Sequence, residues 1–128
     1  MQAISGGNQG GAEQFFIRLA HSFNQAGIKQ HIIVRKNRAW SKNLPNNNIT
    51  ITELPFRQFI DFRTRLNFNR VIREFKPDVV LTWMSRATFY CPGSDAGHRF
   101  IKIARLGGYY NLKYYKDCDH LIGNTEDI

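Results

Sequence analysis

A chain of 128 residues, with 42% hydrophobic, 13% aromatic and 22% charged residues, has the composition of one folded domain rather than of a disordered or fibrous segment. Lys and Arg number 18 against 10 Asp and Glu, a formal charge of +8, which directs attention to a polyanion: nucleic acid, an anionic membrane surface or a phosphorylated ligand. No apolar run approaches the roughly 18 to 20 residues that cross a bilayer, and Cys91 and Cys118 form no Cys-x-x-Cys pair, which excludes a spanning helix, a disulfide scaffold and a zinc ribbon.

Residues 2–5 are a short apolar stub leading into Gly6-Gly7-Asn8-Gln9-Gly10-Gly11, after which Ala12, Phe15, Phe16, Leu19, Phe23 and Ala26 recur at helical spacing. This predicts a strand, a glycine-rich turn and a helix, ended by Gly27. Residues 30–34 form a β-branched run suited to a buried parallel strand, 43–48 a turn containing Pro45, and 49–52 a short alternating strand. The pattern is helical over 58–76 and stops at Pro77, which disfavours a helical residue before it and has no N–H to donate. A buried strand follows over 78–83, a short helix over 85–91 closed by Pro92-Gly93, a strand over 100–104, a helical turn or two over 109–116 and a last strand over 120–123. Strands alternating with helices imply an α/β fold with a mostly parallel sheet covered on both faces. Asn124-Thr125-Glu126-Asp127 has the make-up of a first helical turn, a capping side chain followed by carboxylates, so residues 1–128 are expected to be one domain of a longer chain. The opening residues lack the basic-then-apolar layout of a signal peptide, and a cytoplasmic location is expected. His21, His31, His98 and His120 show no metal-ligand spacing and the two cysteines are expected to be buried free thiols, so no metal is assigned.

A glycine turn between a strand and a helix N-terminus is a physical anion site, because unpaired N–H groups and the helix dipole converge there. A nucleotide-hydrolysing P-loop would need Gly-Lys-Ser/Thr where Gly10-Gly11-Ala12-Glu13 stands. The dinucleotide fingerprint is absent too, and the second strand runs into Arg35-Lys36 where a ribose-binding acid is expected. The glycines could equally serve a tight turn that packs helix against strand, and Glu13 in the first helical turn could serve the dipole alone.

The stretch from Gly10-Gly11-Ala12-Glu13 through Leu19-Ala20, with Ala26-Gly27-Ile28 and His31 beyond it, resembles the opening signature of the amino-terminal domain of family-4 glycosyltransferases of the GT-B architecture. Lys76-Pro77-Asp78-Val79-Val80-Leu81-Thr82-Trp83 is similar to that family's fourth-strand segment, and Arg105-Leu106-Gly107-Gly108-Tyr109-Tyr110 with Asp119-His120-Leu121-Ile122-Gly123-Asn124-Thr125 resembles a region of transferases that build bacterial surface polysaccharides such as lipopolysaccharide. The resemblance implies a Rossmann-like three-layer α/β/α domain, one half of a GT-B pair. It implies transfer of a sugar, of the hexosyl type, from a nucleotide-sugar co-substrate to a glycan or lipid-linked acceptor, with no metal and no other cofactor. The missing carboxy-terminal domain would hold most donor contacts, so the fragment alone is expected to be inactive. Gly6, Gly7, Gly10 and Gly11 would approach the donor phosphates, and no catalytic side chain is assigned. Trp83-Met84-Ser85 and Gly107-Gly108 stand where many relatives carry histidines.

Ligands in open parallel sheets bind beyond the carboxyl ends of the strands, which makes Arg86, Arg105, Gly107, Gly108, Tyr109 and Asn124 the acceptor-site candidates. Arg105 could grip an acceptor phosphate or sugar hydroxyls, or form a structural ion pair; Trp83 could stack on a sugar or lie buried at its strand end. Residues 29–76 hold eleven basic side chains against three acids, so this window carries the whole net charge. Within it Phe68, Val71, Ile72 and Phe75 form a core stripe, whereas Phe59, Phe62 and Leu66 lie opposite, among Arg63, Arg70 and Arg73. That second face suits peripheral contact with an anionic membrane surface, unless the helix kinks so that both stripes are buried. A basic nucleic-acid-binding or regulatory Rossmann-like module without catalysis is the alternative, and it lacks any reader motif.

Overall fold

A computed structural model describes residues 1–57, 61–93, 98–108 and 111–124. Six strands, β1 (Gln2–Ile4), β2 (Gln30–Arg35), β3 (Ile49–Leu54), β4 (Val79–Trp83), β5 (Ile101–Leu106) and β6 (His120–Gly123), form one sheet in the order β3-β2-β1-β4-β5-β6 with every pair parallel. Helices α1 (Gly11–Gln25), α2 (Phe62–Phe75) and α3 (Met84–Tyr90) connect them, making a Rossmann-like α/β domain. The predicted parallel sheet is therefore present.

Strands β1 and β2 are apolar on both sides because helices cover both, whereas Val79 of β4 and Ile101 of β5 stay exposed. On one face Ala3, Ile33, Leu54 and Val80 pack against Phe68, Val71 and Ile72 of α2 and Ala87 and Tyr90 of α3. On the other, Ile4, Ile32, Val34 and Trp83 pack against Phe16, Ile17 and Ala20 of α1 and Trp40 of a 3-10 turn over Ala39–Asn43. A buried polar chain threads this second face: Trp83 Nε1 donates to Gln2 Oε1 (3.0 Å), Gln2 Nε2 to Gln30 Oε1 (3.3 Å), and Gln30 Nε2 to the Ala20 carbonyl (2.9 Å). It ties β4, β1, β2 and α1 together, and each buried amide is satisfied.

α1 ends as predicted: Gly27 at φ +78° lets Ile28 N–H reach the Phe23 carbonyl (3.0 Å) and its own N–H reach Asn24 (3.1 Å), a Schellman closure. α2 starts later than the predicted 58–76. Asp61 is its N-cap, accepting from Thr64 N–H, while residues 58–60 lie outside those described. α2 does not bury both of its stripes: Phe68, Val71 and Ile72 are inside and Phe62 and Leu66 are 73% and 68% exposed. The predicted turn over 109–116 is a 3-10 turn over Leu112–Tyr115, with Tyr109 and Tyr110 outside the described residues. Of the two readings open for Trp83, burial at its strand end is the one the fold adopts, which removes it as a sugar-stacking platform. Cys91 is buried and Cys118 half-buried; burial pushes their thiols up to about 12 and about 11, which keeps them protonated and inert.

Candidate functional site

Strand order reverses between β1 and β4, and the glycine turn leaves the sheet there, at its carboxyl edge. The turn is shaped around two side chains. Glu13 folds back from the first turn of α1 and its Oε1 accepts Gly7 N–H at 2.7 Å; the carboxylate is buried. A Cβ on Gly10 would lie 2.5 Å from Glu13 Oε2, and one on Gly6, already at φ +39°, would lie 3.0 Å from the Trp40 ring. Trp40 Nε1 donates to the Gly7 carbonyl at 2.8 Å, and Arg38 donates to the Gly6 carbonyl (3.1 Å) and Asn8 Oδ1 (3.2 Å). Two of the four predicted donor-phosphate glycines, Gly6 and Gly10, thus have a packing reason of their own, and the Gly7 N–H is already taken. Gly11 faces open space. Glu13 does more than complement the dipole: it is the internal anion of the turn.

Beside the turn, beyond the ends of β2 and β3, lies a cavity of about 560 Å³ lined by Arg35, Lys36, Asn37, Arg38, Pro55, Arg57, Asp61 and Arg63. Five cations and one acid face it. Burial, with Arg38 and Arg86 close by, holds the Arg35 guanidinium below its ordinary pKa, the direction expected where like charges are crowded. The loop that carries Arg57 is held at four successive backbone positions by side chains. Phe56 N–H donates to Thr64 Oγ1 (3.0 Å), the Phe56 carbonyl accepts from Arg86 (3.2 Å), Arg57 N–H donates to Asp61 Oδ2 (2.9 Å), and the Arg57 carbonyl accepts from Tyr90 OH (2.8 Å). Phe56 sits at φ +49° and Met84, just past β4, at φ +67°. Bulky side chains adopt this region only where the surroundings impose it, and such strain gathers at functional sites.

Burial opposes ionisation of Asp61, but the bonds from Thr64 Oγ1, Arg57 N–H and Thr64 N–H, with the Arg57 charge, win and hold its carboxyl below its ordinary value. The folded pKa being the lower one, Asp61 stabilises the fold above the usual carboxylate range and loses that contribution as pH falls through its folded pKa. Asp61→Asn, which offers an amide where donors converge, should cost about 2 kcal/mol near neutral pH and flatten the acid limb of stability in urea titrations; an unchanged acid limb would contradict this.

The other predicted acceptor residues divide. Arg86 lies by the cavity, bonded to the Phe56 carbonyl. Arg105 is in β5, not in the loop after it, because that strand runs to Leu106 and pairs Arg105 with Trp83 and Ile122. Its guanidinium lies 4.6 Å from the Trp83 ring centroid and 4.9 Å from that of Phe15, two rings whose own centroids are 5.7 Å apart, so both share the cation on the α1 face. Gly107 and Gly108 follow β5 and Asn124 follows β6, on the same carboxyl edge, and Tyr109 lies outside the described residues. Of the membrane-face candidates, Phe62, Arg63, Leu66, Arg70 and Arg73 are exposed on α2, and Phe59 lies outside the described residues. Among the described residues no helix is long and apolar enough to cross a membrane, and no three His, Cys, Asp or Glu side chains could hold a metal ion. Arg35, Arg38 and Arg57 were not singled out from the sequence as site residues; their only signal there was the charge of the 29–76 window.

No protein-family model matches the chain, and no solved structure matches it. Two curated proteins of Rhizobium meliloti (strain 1021) are similar to it. The lipopolysaccharide core biosynthesis glycosyltransferase LpsD is 38% identical over 125 residues, covering 95% of this chain and 35% of the relative. The lipopolysaccharide core biosynthesis glycosyltransferase LpsE is 33% identical over 125 residues, covering 95% of this chain and 36% of the relative. The chain thus spans about a third of the length of the curated relatives it matches, and over nearly all of its own length it is similar to glycosyltransferases.

Proposed function

We propose that this chain is the amino-terminal, acceptor-side domain of a GT-B glycosyltransferase of the family-4 type, which moves a hexosyl group from a nucleotide sugar to a glycan or lipid-linked acceptor in lipopolysaccharide assembly. The observation that carries the reading is the likeness to two lipopolysaccharide core glycosyltransferases over 95% of the chain. The all-parallel sheet with its glycine turn and cationic cavity on one carboxyl edge supports it, since open sheets of this kind bind ligands there.

Further chain of the same domain fits the uncovered half of the sheet. Val79, Ile101 and Ile122 stay exposed, and Leu81, Ile103 and Ile122 line an apolar cavity of about 380 Å³ with Phe23 and Ile28. Such a face needs further chain over it. Closure of a partner domain over the carboxyl edge would exclude water from the reacting sugar, and the donor diphosphate would be stabilised by cationic side chains and helix N-termini without a metal. Gly11, which faces open space, is the glycine of the turn free to approach the donor.

Extended to the length of its relatives and supplied with UDP- and GDP-sugars and a truncated lipopolysaccharide core, the protein should release nucleoside diphosphate only when the acceptor is present. No release or transfer with any donor would overturn the reading. The exposed Phe62 and Leu66 beside Arg70 and Arg73 support peripheral docking at the inner face of the membrane. Replacing both apolar residues by Ser should cut co-sedimentation with phosphatidylglycerol vesicles by about tenfold, and undiminished binding would remove that part.

A further inference from the structure

The cavity between the ends of β2 and β3 is not explained by sugar transfer as such. A neutral acceptor would be held by hydroxyl-directed hydrogen bonds, and five cations converging on one concavity with a single acid would only repel one another. Asp61 forms no direct ion pair with them: its carboxylate accepts from Thr64 Oγ1 at 2.6 Å, Thr64 N–H at 3.1 Å and Arg57 N–H at 2.9 Å, and one charge at most offsets one of the five. The clustering is also built in. Arg38 is anchored to the glycine turn, and the Phe56–Arg57 backbone is pinned by Thr64, Arg86, Asp61 and Tyr90 in a conformation that Phe56 adopts only under constraint. A fold that holds like charges together and strains its backbone to do so is preorganised for the opposite charge.

We infer that this cavity is an anion subsite that binds a phosphate or carboxylate group carried by the acceptor sugar, with Arg35, Arg57 and Arg63 as its principal contacts and Arg38 linking it to the glycine turn. The inference rests on the transferase reading for the word acceptor, and on the cavity alone for the anion. Arg guanidinium forks suit both groups because each presents paired oxygens to parallel N–H donors. The position fits as well: the subsite adjoins the glycine turn on the carboxyl edge, so an acceptor anchored there by its anion would extend toward the place where the donor approaches.

The test is an NMR titration of the chain with inorganic phosphate, with galacturonate and with galactose, the last two being a pair that differs in the carboxylate. Both anions should shift the Phe56 and Arg57 amides and the Arg35 side chain, and galactose should not; raised salt should weaken the binding. Arg57 and Arg63 are exposed, so R57Q/R63Q keeps the fold, which circular dichroism checks, and should bind both anions about tenfold more weakly. K113Q/K116Q removes the same charge from exposed positions elsewhere and should bind as the wild type does. Equal loss in the two double variants, or binding of galactose as tight as that of galacturonate, would overturn the inference. So would a chain that ignores both soluble anions yet binds phosphatidylglycerol vesicles through Arg57 and Arg63, which would make the cavity part of a membrane surface. The titration involves no donor and no turnover, so its failure leaves the transferase reading standing; absent turnover with anion binding intact would instead overturn the transferase reading and leave the subsite.

Discussion

Lys102→Ala should lower the stability of this domain by about 4 kcal/mol in urea denaturation, and Lys102→Met by about 2 kcal/mol, the largest single-residue effects expected outside the apolar core. Lys102 stands in the middle of β5 with no exposed surface, and its Nζ donates to the carbonyls of Thr88 (3.2 Å) and Cys91 (2.9 Å) and to Asp117 Oδ1 (2.8 Å). One ammonium group thus satisfies carbonyls at the end of α3 and ties them to the segment that follows the 3-10 turn. Alanine leaves a void and two carbonyls without this donor; methionine fills the void and leaves only the carbonyls. The ion pair itself contributes less than a fully buried one, because Asp117 is 51% exposed and its charge is screened by water. Asp117→Asn keeps an oxygen for Nζ but leaves the buried ammonium without its counter-charge, and should cost about 1 to 2 kcal/mol. A Lys102→Ala variant as stable as wild type would show that these bonds contribute nothing to the fold.

Gly10→Ala should destabilise the protein by about 2 kcal/mol, and most of that penalty should vanish when Glu13 is also Ala. The physical cause is specific to the pair. Gly10 is extended at φ 160°, a conformation that any residue adopts, so alanine brings no backbone strain. What it brings is a Cβ 2.5 Å from Glu13 Oε2, which forces a buried carboxylate off the Gly7 N–H. Glu13→Ala alone leaves that N–H without its acceptor and should cost about 1 to 2 kcal/mol. A double-mutant cycle by thermal or urea denaturation isolates the coupling: about 1 kcal/mol or more is expected, and strict additivity would mean that Glu13 does not shape the turn.

The glycine turn shows how far the residues could be read and where reading stops. Its place between a strand and a helix was legible because the apolar spacing changes from continuous to helical at Gly11. Its reason was not, because nothing local indicates that Glu13 folds back over Gly7 and Gly10, or that Trp40, from beyond the next strand, closes over Gly6. The charge behaves similarly. The window 29–76 could be counted, but Arg35 and Arg57 become neighbours only once β2 and β3 pair in parallel, which brings the segments following both strands to one edge. The two faces of α2 were readable from period alone, and Asp61 moved its start because a side chain that accepts the Thr64 N–H ends the preceding segment. Arg105 was displaced from loop to strand by pairing with Trp83, a cross-strand register that single-strand patterns do not carry. Gln2 and Gln30 are buried polar residues at the starts of their strands, and their mutual bond, the bond from Trp83 and the bond to the Ala20 carbonyl explain their burial.

The measurement that bears most directly on the whole account is steady-state kinetics of the protein extended to the length of its relatives, with R57Q/R63Q compared to wild type and acceptor and donor varied separately. An anion subsite on the acceptor side predicts an acceptor KM raised by about tenfold with the donor KM unchanged. A raised donor KM with the acceptor KM unchanged would contradict it and assign the cationic cavity to the nucleotide sugar.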